Sequence, residues 1–320
     1  MIIQVQSIMQ NDENHQRLDS NPKYDYGSAF CNGEFLPIQE ASVPLTDAGF
    51  LHADAAYDVV TVSKGAFFRL EDHLDRMEAS CKKFLLNNPY SREEVKDILN
   101  KLVALTGLKD AYVWWAVTRG PLNSASRKNP SLQQNAMFAF VSPYFFQADD
   151  ETRTNGFDML ISKKYKRISH KAVDPTAKNF HWMDMKLGIY EARSFNKDWV
   201  VLTDDEDNLT EAAGANIFIV KNNEVYTPDI GCLEGITRKT VIDLCNELGI
   251  KVHVETVSAQ QLLDADEAFT SSSAGGIMPI KTVDDVELKS PLDPSSLTAK
   301  LHDLYWTKRW SGWLNTSVQY

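Results

Sequence analysis

The sequence predicts an α+β fold in two domains, on three observations. At 320 residues the chain exceeds the ~100–200 residues usual for one domain. Its 43% hydrophobic and 24% charged residues are the proportions of an ordinary globular protein. Strand-like and helix-like segments mix without the regular βαβ alternation of a doubly wound sheet.

Residues 1–24 are polar and rich in Asn, Asp and Gln, and read as an N-terminal arm, flexible or ordered only by a neighbour. "SAFCNGEFLPI" sets apolar stretches on either side of Asn32-Gly33, a strong hairpin signal, and "YDVVTVSKGAFFRL" repeats the device at Lys64-Gly65. Leu70, Leu74, Met77, Cys81 and Phe84 then recur on one helical face. Ser91 and Glu94 form a capping box for a second helix that stops at Gly107. "AYVWWAVTRG" and "NAMFAFVSPY" are strands by their β-branched and aromatic content, with a polar loop between them. A composition break marks 146–156 as a linker between a small domain, 25–145, and a larger one, 157–320. The second half reads as strand, lysine loop, helix, strand and acidic turn. A strand pair about Asn222-Asn223 follows, then a helix, a strand, a short helix, a glycine-containing loop and an amphipathic helix near 296–309.

The net charge of −11 argues against a nucleic-acid surface, which needs clustered Lys and Arg. The four cysteines show neither CxxC pairs nor ligand spacing, so no metal site or disulfide framework is expected, and isolated thiols fit a reducing cytoplasm. No signal-peptide pattern opens the chain, and no apolar run reaches the ~18 residues of a membrane span. The acidic "DDEDN" lacks the spacing of a calcium loop.

Five stretches carry candidate chemistry. "DPTAKNFHWMDM" sets Lys178 among residues that prefer burial, and a desolvated amine loses its proton more easily. In "EGITRKTVIDL", Gly235 and an N-cap Thr237 could present helix-start amides to a phosphate, or simply cap the helix. The hydroxyls and glycines of "TSSSAGG" suit an anion or form an idle loop. Glu211 in "NLTEAAGANIFIV" needs a cationic partner if buried. Arg69 in "FFRLEDHLDRM" could fork onto a phosphate or pair with Glu71 or Asp72.

In order, "GFLHADAAYDVV", "FFRLEDHLDR", "DPTAKNFHW", "NLTEAAGANIF", "LEGITRKTV" and "SSSAGGIMP" resemble the motif series of fold-type IV pyridoxal-phosphate enzymes. The likeness is closest to the (R)-selective amine transaminases, relatives of branched-chain and D-amino-acid aminotransferases, and runs from about residue 25 to 310. It implies a small α/β domain and a larger α+β domain with a β-barrel-like core. It implies that Lys178 bonds covalently to pyridoxal 5'-phosphate, then shuttles the substrate proton. Glu211 pairs with the ring nitrogen, and Leu233 packs on the ring. Arg69, Ile236 through its backbone, Thr237 and Ser272 hold the phosphate. Trp182 and Phe180 help to build a dry wall; His181 has no assigned role.

The same resemblance places His52, Tyr57, Val59, Thr61, Tyr112, Trp114, Trp182, Ser273 and Ala274 at the substrate pocket. Branched-chain enzymes have an arginine where Thr61 stands. Many amine transaminases have Glu at Trp114 and an arginine at Ala125, so substrate carboxylates are expected to meet Arg127 instead. The expected reaction exchanges an amino group between an (R)-amine or D-amino acid and an oxo acid such as pyruvate, by a ping-pong mechanism. Alternatives are a branched-chain or D-amino-acid aminotransferase, a lyase similar to aminodeoxychorismate lyase, and a binding protein that has lost the chemistry. A homodimer is implied, with the arm and the 121–131 loop reaching the partner's site; no nucleic acid or membrane partner is expected.

Overall fold

The computed structural model describes residues 2–289, 293 and 295–320, so Met1 of the expected arm lies outside the described residues. The chain forms two compact units. One comprises Met9–Phe145, Ala177–His181 and Gly312–Tyr320; the other comprises the residues up to Ile8, Phe146–Thr176 and Trp182–Ser311.

After helix α1 (Val5–Asn11), the first unit opens with the hairpin β1 (Ser28–Cys31) and β2 (Glu34–Pro37). Short helix α2 (Ala48–His52) leads to β3 (Ala55–Ser63) and β4 (Ala66–Phe68), then to α3 (Leu70–Lys83) and α4 (Arg92–Thr106). Strands β5 (Ala111–Thr118) and β6 (Ala136–Pro143) follow. The hairpins turn where the sequence says they should, because Asn32, Gly33, Lys64 and Gly65 all take positive φ. The Ser91–Glu94 capping box is present at α4, and Gly107 ends that helix at φ 66°. One face of the sheet packs Val60, Val62, Val113 and Trp115 against Leu74, Met77, Leu99 and Leu102 of the two helices. Alternation then puts Tyr57, Val59 and Thr61 on the opposite face, where Val59 pairs with Trp114 and Thr61 with Tyr112.

The second unit runs α5 (Asp150–Asn155), β7 (Phe157–Ile161), α6 (Met183–Ser194), β8 (Trp199–Thr203), β9 (Leu209–Ala212), β10 (Asn216–Lys221) and β11 (Glu224–Thr227). It continues with α7 (Ile236–Glu247), β12 (Val252–Val254), α8 (Ala259–Leu263), β13 (Glu267–Ser272), β14 (Gly276–Val283), β15 (Val286–Glu287) and α9 (Leu297–Trp310). The strands order β12-β11-β10-β13-β14-β7-β8-β9, with β15 paired to β14. The sheet curls into a half-barrel, and a bridge between Ala212 and Ala215 turns β9 directly into β10. A last strand, β16 (Asn315–Ser317), belongs to the first unit, whose antiparallel order is β16-β4-β3-β5-β6-β1-β2.

The fold is α+β, but its compact units depart from the expected boundaries. The 146–156 stretch holds helix α5, and Arg153 within it is 0% exposed. Residues 177–181 and 312–320, expected in the larger domain, join the first unit. Asn179 bridges Ala56, and β16 pairs with β4. The arm is tied down: Val5, Met9 and His15 are buried, and His15 Nδ1 lies 2.8 Å from Asp110.

Candidate active site

In the first unit, Lys178 is held at both ends of its backbone. Its N–H donates to Ser80 Oγ at 3.1 Å, and its carbonyl accepts from Tyr57 N–H at 3.1 Å. This lays 177–181 beside β3 and brings Nζ to 4.4 Å from the centroid of the Tyr57 ring. Phe180 meets Tyr57 edge-on at 5.5 Å, Trp114 lies 6.0 Å from both rings, and Phe140 stacks on Trp114 at 5.2 Å. The half-buried amine therefore stands at an aromatic wall.

Behind it, α3 presents His73, Arg76 and Ser80 at helical spacing along one face, and Ser80 Oγ donates to the Arg76 carbonyl at 2.8 Å. Asp58 of β3 is wholly buried and meets His73 Nδ1 at 2.8 Å and Arg76 through both carboxylate oxygens, at 2.8 and 2.7 Å. Burial alone would raise the Asp58 carboxyl, but the Arg76 guanidinium and the His73 ring hold it well below the usual carboxylate range. Burial draws the His73 ring below its ordinary value against the pull of Asp58, with the charges of Arg76 and Lys178 adding to the effect. Arg69 is elsewhere occupied: it caps α3 in a left-handed conformation, φ 56°, and its Nε bonds Asp72 at 2.5 Å. The pairing with Asp72 weighed from the sequence is the one found, and Arg76 is the arginine on the face that reaches Lys178. The sequence signal for it was the 73–76–80 spacing.

In the second unit, Glu211 is 4% exposed on β9. The cation it requires is Arg167, whose Nε donates to one carboxylate oxygen at 3.0 Å while its Nη1 reaches Asp184 at 2.6 Å. Leu233 N–H approaches the other oxygen at 3.3 Å. Arg167 carries no signal of its own in the sequence, where "KKYKRI" reads as plain basic strand. Gly235, rather than Thr237, is the N-cap of α7. A Cβ at 235 would lie 2.1 Å from Asn216 Oδ1, and that amide in turn donates to the Leu233 carbonyl at 2.7 Å. Ile236 and Thr237 occupy the buried first turn, and no side chain caps it. Ser272 ends β13, with Ser273 and Ala274 half-exposed in the turn to Gly276. Trp182 packs over Gly214.

The remaining candidates are scattered. Val59 and Trp114 face each other across β3 and β5, as do Thr61 and Tyr112. His52 is exposed at the end of α2, and Arg127 is exposed in a helical turn closed by its N–H to Asn123 O at 3.0 Å. Among the described residues no cluster of His, Cys, Asp or Glu could hold a metal, and no helix is long and apolar enough to cross a membrane.

The family model for amino-transferase class IV matches residues 55–283. A putative branched-chain-amino-acid aminotransferase of Methanocaldococcus jannaschii is 30% identical over 260 residues, 80% of this chain and 87% of that one. A D-alanine aminotransferase of Listeria monocytogenes is 28% identical over 290 residues, 86% and 93% of the two chains. The crystal structure of the branched-chain amino acid aminotransferase of Thermobaculum terrenum in its PLP-form matches with a TM-score of 0.81 at 25% identity, covering 93% of this chain and 100% of that one. The branched-chain aminotransferase of Thermoproteus uzoniensis shares the fold, with a TM-score of 0.82 at 24% identity over 92% of this chain and 100% of its own.

Proposed function

The chain belongs to the amino-transferase class IV family, and from that premise we propose that it is a transaminase moving an amino group between an (R)-amine or D-amino acid and an oxo acid such as pyruvate. The fold is that of the fold-type IV enzymes, and the cofactor is pyridoxal 5'-phosphate. The observation that carries the reading is Lys178, fixed by Ser80 and Tyr57 with its amine against an aromatic wall.

The side chains present suit that cofactor. Glu211, already facing Arg167 and the Leu233 amide, offers a fixed anion to a protonated ring nitrogen. The uncapped start of α7 and the Ser272–Gly276 turn suit a phosphate. For the phosphate arginine we favour Arg76 over Arg69, since it shares a helix face with the serine that holds Lys178. When bound, the cofactor supplies an electron sink for the substrate carbon. The protein's part is to hold it, to exclude water with Tyr57, Trp114 and Phe180, and to carry a proton at Lys178 Nζ.

The aromatic face made by Tyr57, Trp114 and Phe140 favours an apolar amine substituent, and Thr61 supplies no charge for a carboxylate. Arg127 remains the candidate for an oxo-acid carboxylate, approaching from the 121–131 loop. A second copy of the chain as partner accords with the exposed Leu45 and Phe50. A branched-chain or D-amino-acid aminotransferase is the second reading, favoured by the relatives at 30% and 28% identity.

Paired (R)- and (S)-1-phenylethylamine, D- and L-alanine and L-leucine, each offered with pyruvate or 2-oxoglutarate, test the assignment. Turnover of the (R)-amine and D-alanine with pyruvate is expected. Preference for L-leucine would hand the case to the second reading, and pyruvate release without an acceptor would make the protein a lyase.

A further inference from the structure

We propose that residues 147–155 clamp the Ser272–Gly276 turn into the shape that receives an anion, with Gln147 and Arg153 as its positioning residues. The inference rests on the reading above that this turn takes the cofactor phosphate.

The turn is held at three points. Ser272 Oγ accepts from Gly275 N–H at 2.9 Å and donates to Gln147 Oε1 at 2.9 Å. Arg153, on α5, donates from Nη1 to the Gly275 carbonyl at 2.7 Å. Its guanidinium lies 5.6 Å from the centroid of the Trp306 ring. The same ring bears on the turn, because a Cβ at Gly276 would come within 3.0 Å of Trp306 and Tyr305. One indole thus backs both the cation and the glycine that follows the carbonyl it holds.

Burying a guanidinium is costly, and an apolar side chain would have filled that space more cheaply. What the guanidinium adds is direction. It draws density onto the Gly275 oxygen, making the amide of that same peptide, at Gly276, a stronger donor. It also fixes the turn before any ligand arrives, which removes an ordering cost from binding. Gln147 fixes the Ser272 hydroxyl in the same way from three residues before α5. Composition made this stretch look like a linker, so neither residue stood out.

The test compares pyridoxal 5'-phosphate with pyridoxal, which lacks the phosphate, in titrations of full-length protein stripped of cofactor. The wild type is expected to prefer the phosphorylated aldehyde. Arg153→Met should weaken that affinity about 10- to 100-fold, the usual effect of losing a charged hydrogen bond, and leave pyridoxal affinity unchanged. Arg153→Lys should recover part of the loss, and Gln147→Leu should reproduce a smaller one. Equal losses for both aldehydes, or no loss in either variant, would overturn the clamp. Should Arg153→Met fail to fold, Gln147→Leu decides. A wild type that holds pyridoxal as tightly as its phosphate would instead bring down the phosphate reading itself.

Discussion

Asp58 shows how a single buried side chain can organise the polar groups around it. Its carboxylate sits in a strand whose nine residues are all buried, where an unpaired charge would be prohibitive. Arg76 and His73 satisfy it from α3, and the arrangement places two polar groups on the helix face behind Lys178. Removing Arg76 alone would strand that anion, so its role is best measured in an Asp58→Asn background. There, Arg76→Met is expected to lose bound cofactor during gel filtration, while Arg69→Met retains it, since Arg69 is spent on Asp72. Equal retention by both would return the phosphate role to neither arginine.

At the level of elements, the start of α7 is a tightly constrained joint. Gly235 has φ −65°, a conformation open to any residue, so replacing it with alanine would ordinarily stabilise the protein by about 0.4–1 kcal/mol. Here the new methyl meets Asn216 Oδ1, and Gly235→Ala should instead cost about 1–3 kcal/mol in urea unfolding. A stabilised variant would show that the Asn216–Leu233 link yields freely. Elements like this also mark what was legible in the sequence. Turns at Asn32-Gly33, Lys64-Gly65 and Asn222-Asn223 could be read because positive φ favours the Gly or Asn each contains, and the Ser91 cap because its partner lies three residues away. Helix α5 escaped because "DETRTN" is polar and its one deeply buried side chain is an arginine, a type normally exposed. Arg167 and Glu211 are 44 residues apart, so no local pattern joins them.

Across the whole molecule the chain passes between its units more than once, which no composition break announces. The first unit takes its lysine segment from the middle of the sequence and a strand from the end. Val318 enters its core, Gln319 N–H donates to Asn100 Oδ1, and the Tyr320 hydroxyl donates to the Leu108 carbonyl at 2.6 Å. Deleting residues 312–320 should therefore cost at least about 3 kcal/mol, from one buried valine and several lost hydrogen bonds. The urea midpoint reports it, and an unchanged midpoint would mean that the closing strand is ornamental.

That closing strand has a consequence during synthesis. Most of the first unit emerges from the ribosome early, yet its edge at β4 stays uncovered until β16 has been translated. The first unit is thus completed only after the second has been made, and until then it exposes an unpaired strand edge to any chaperone or neighbouring nascent chain.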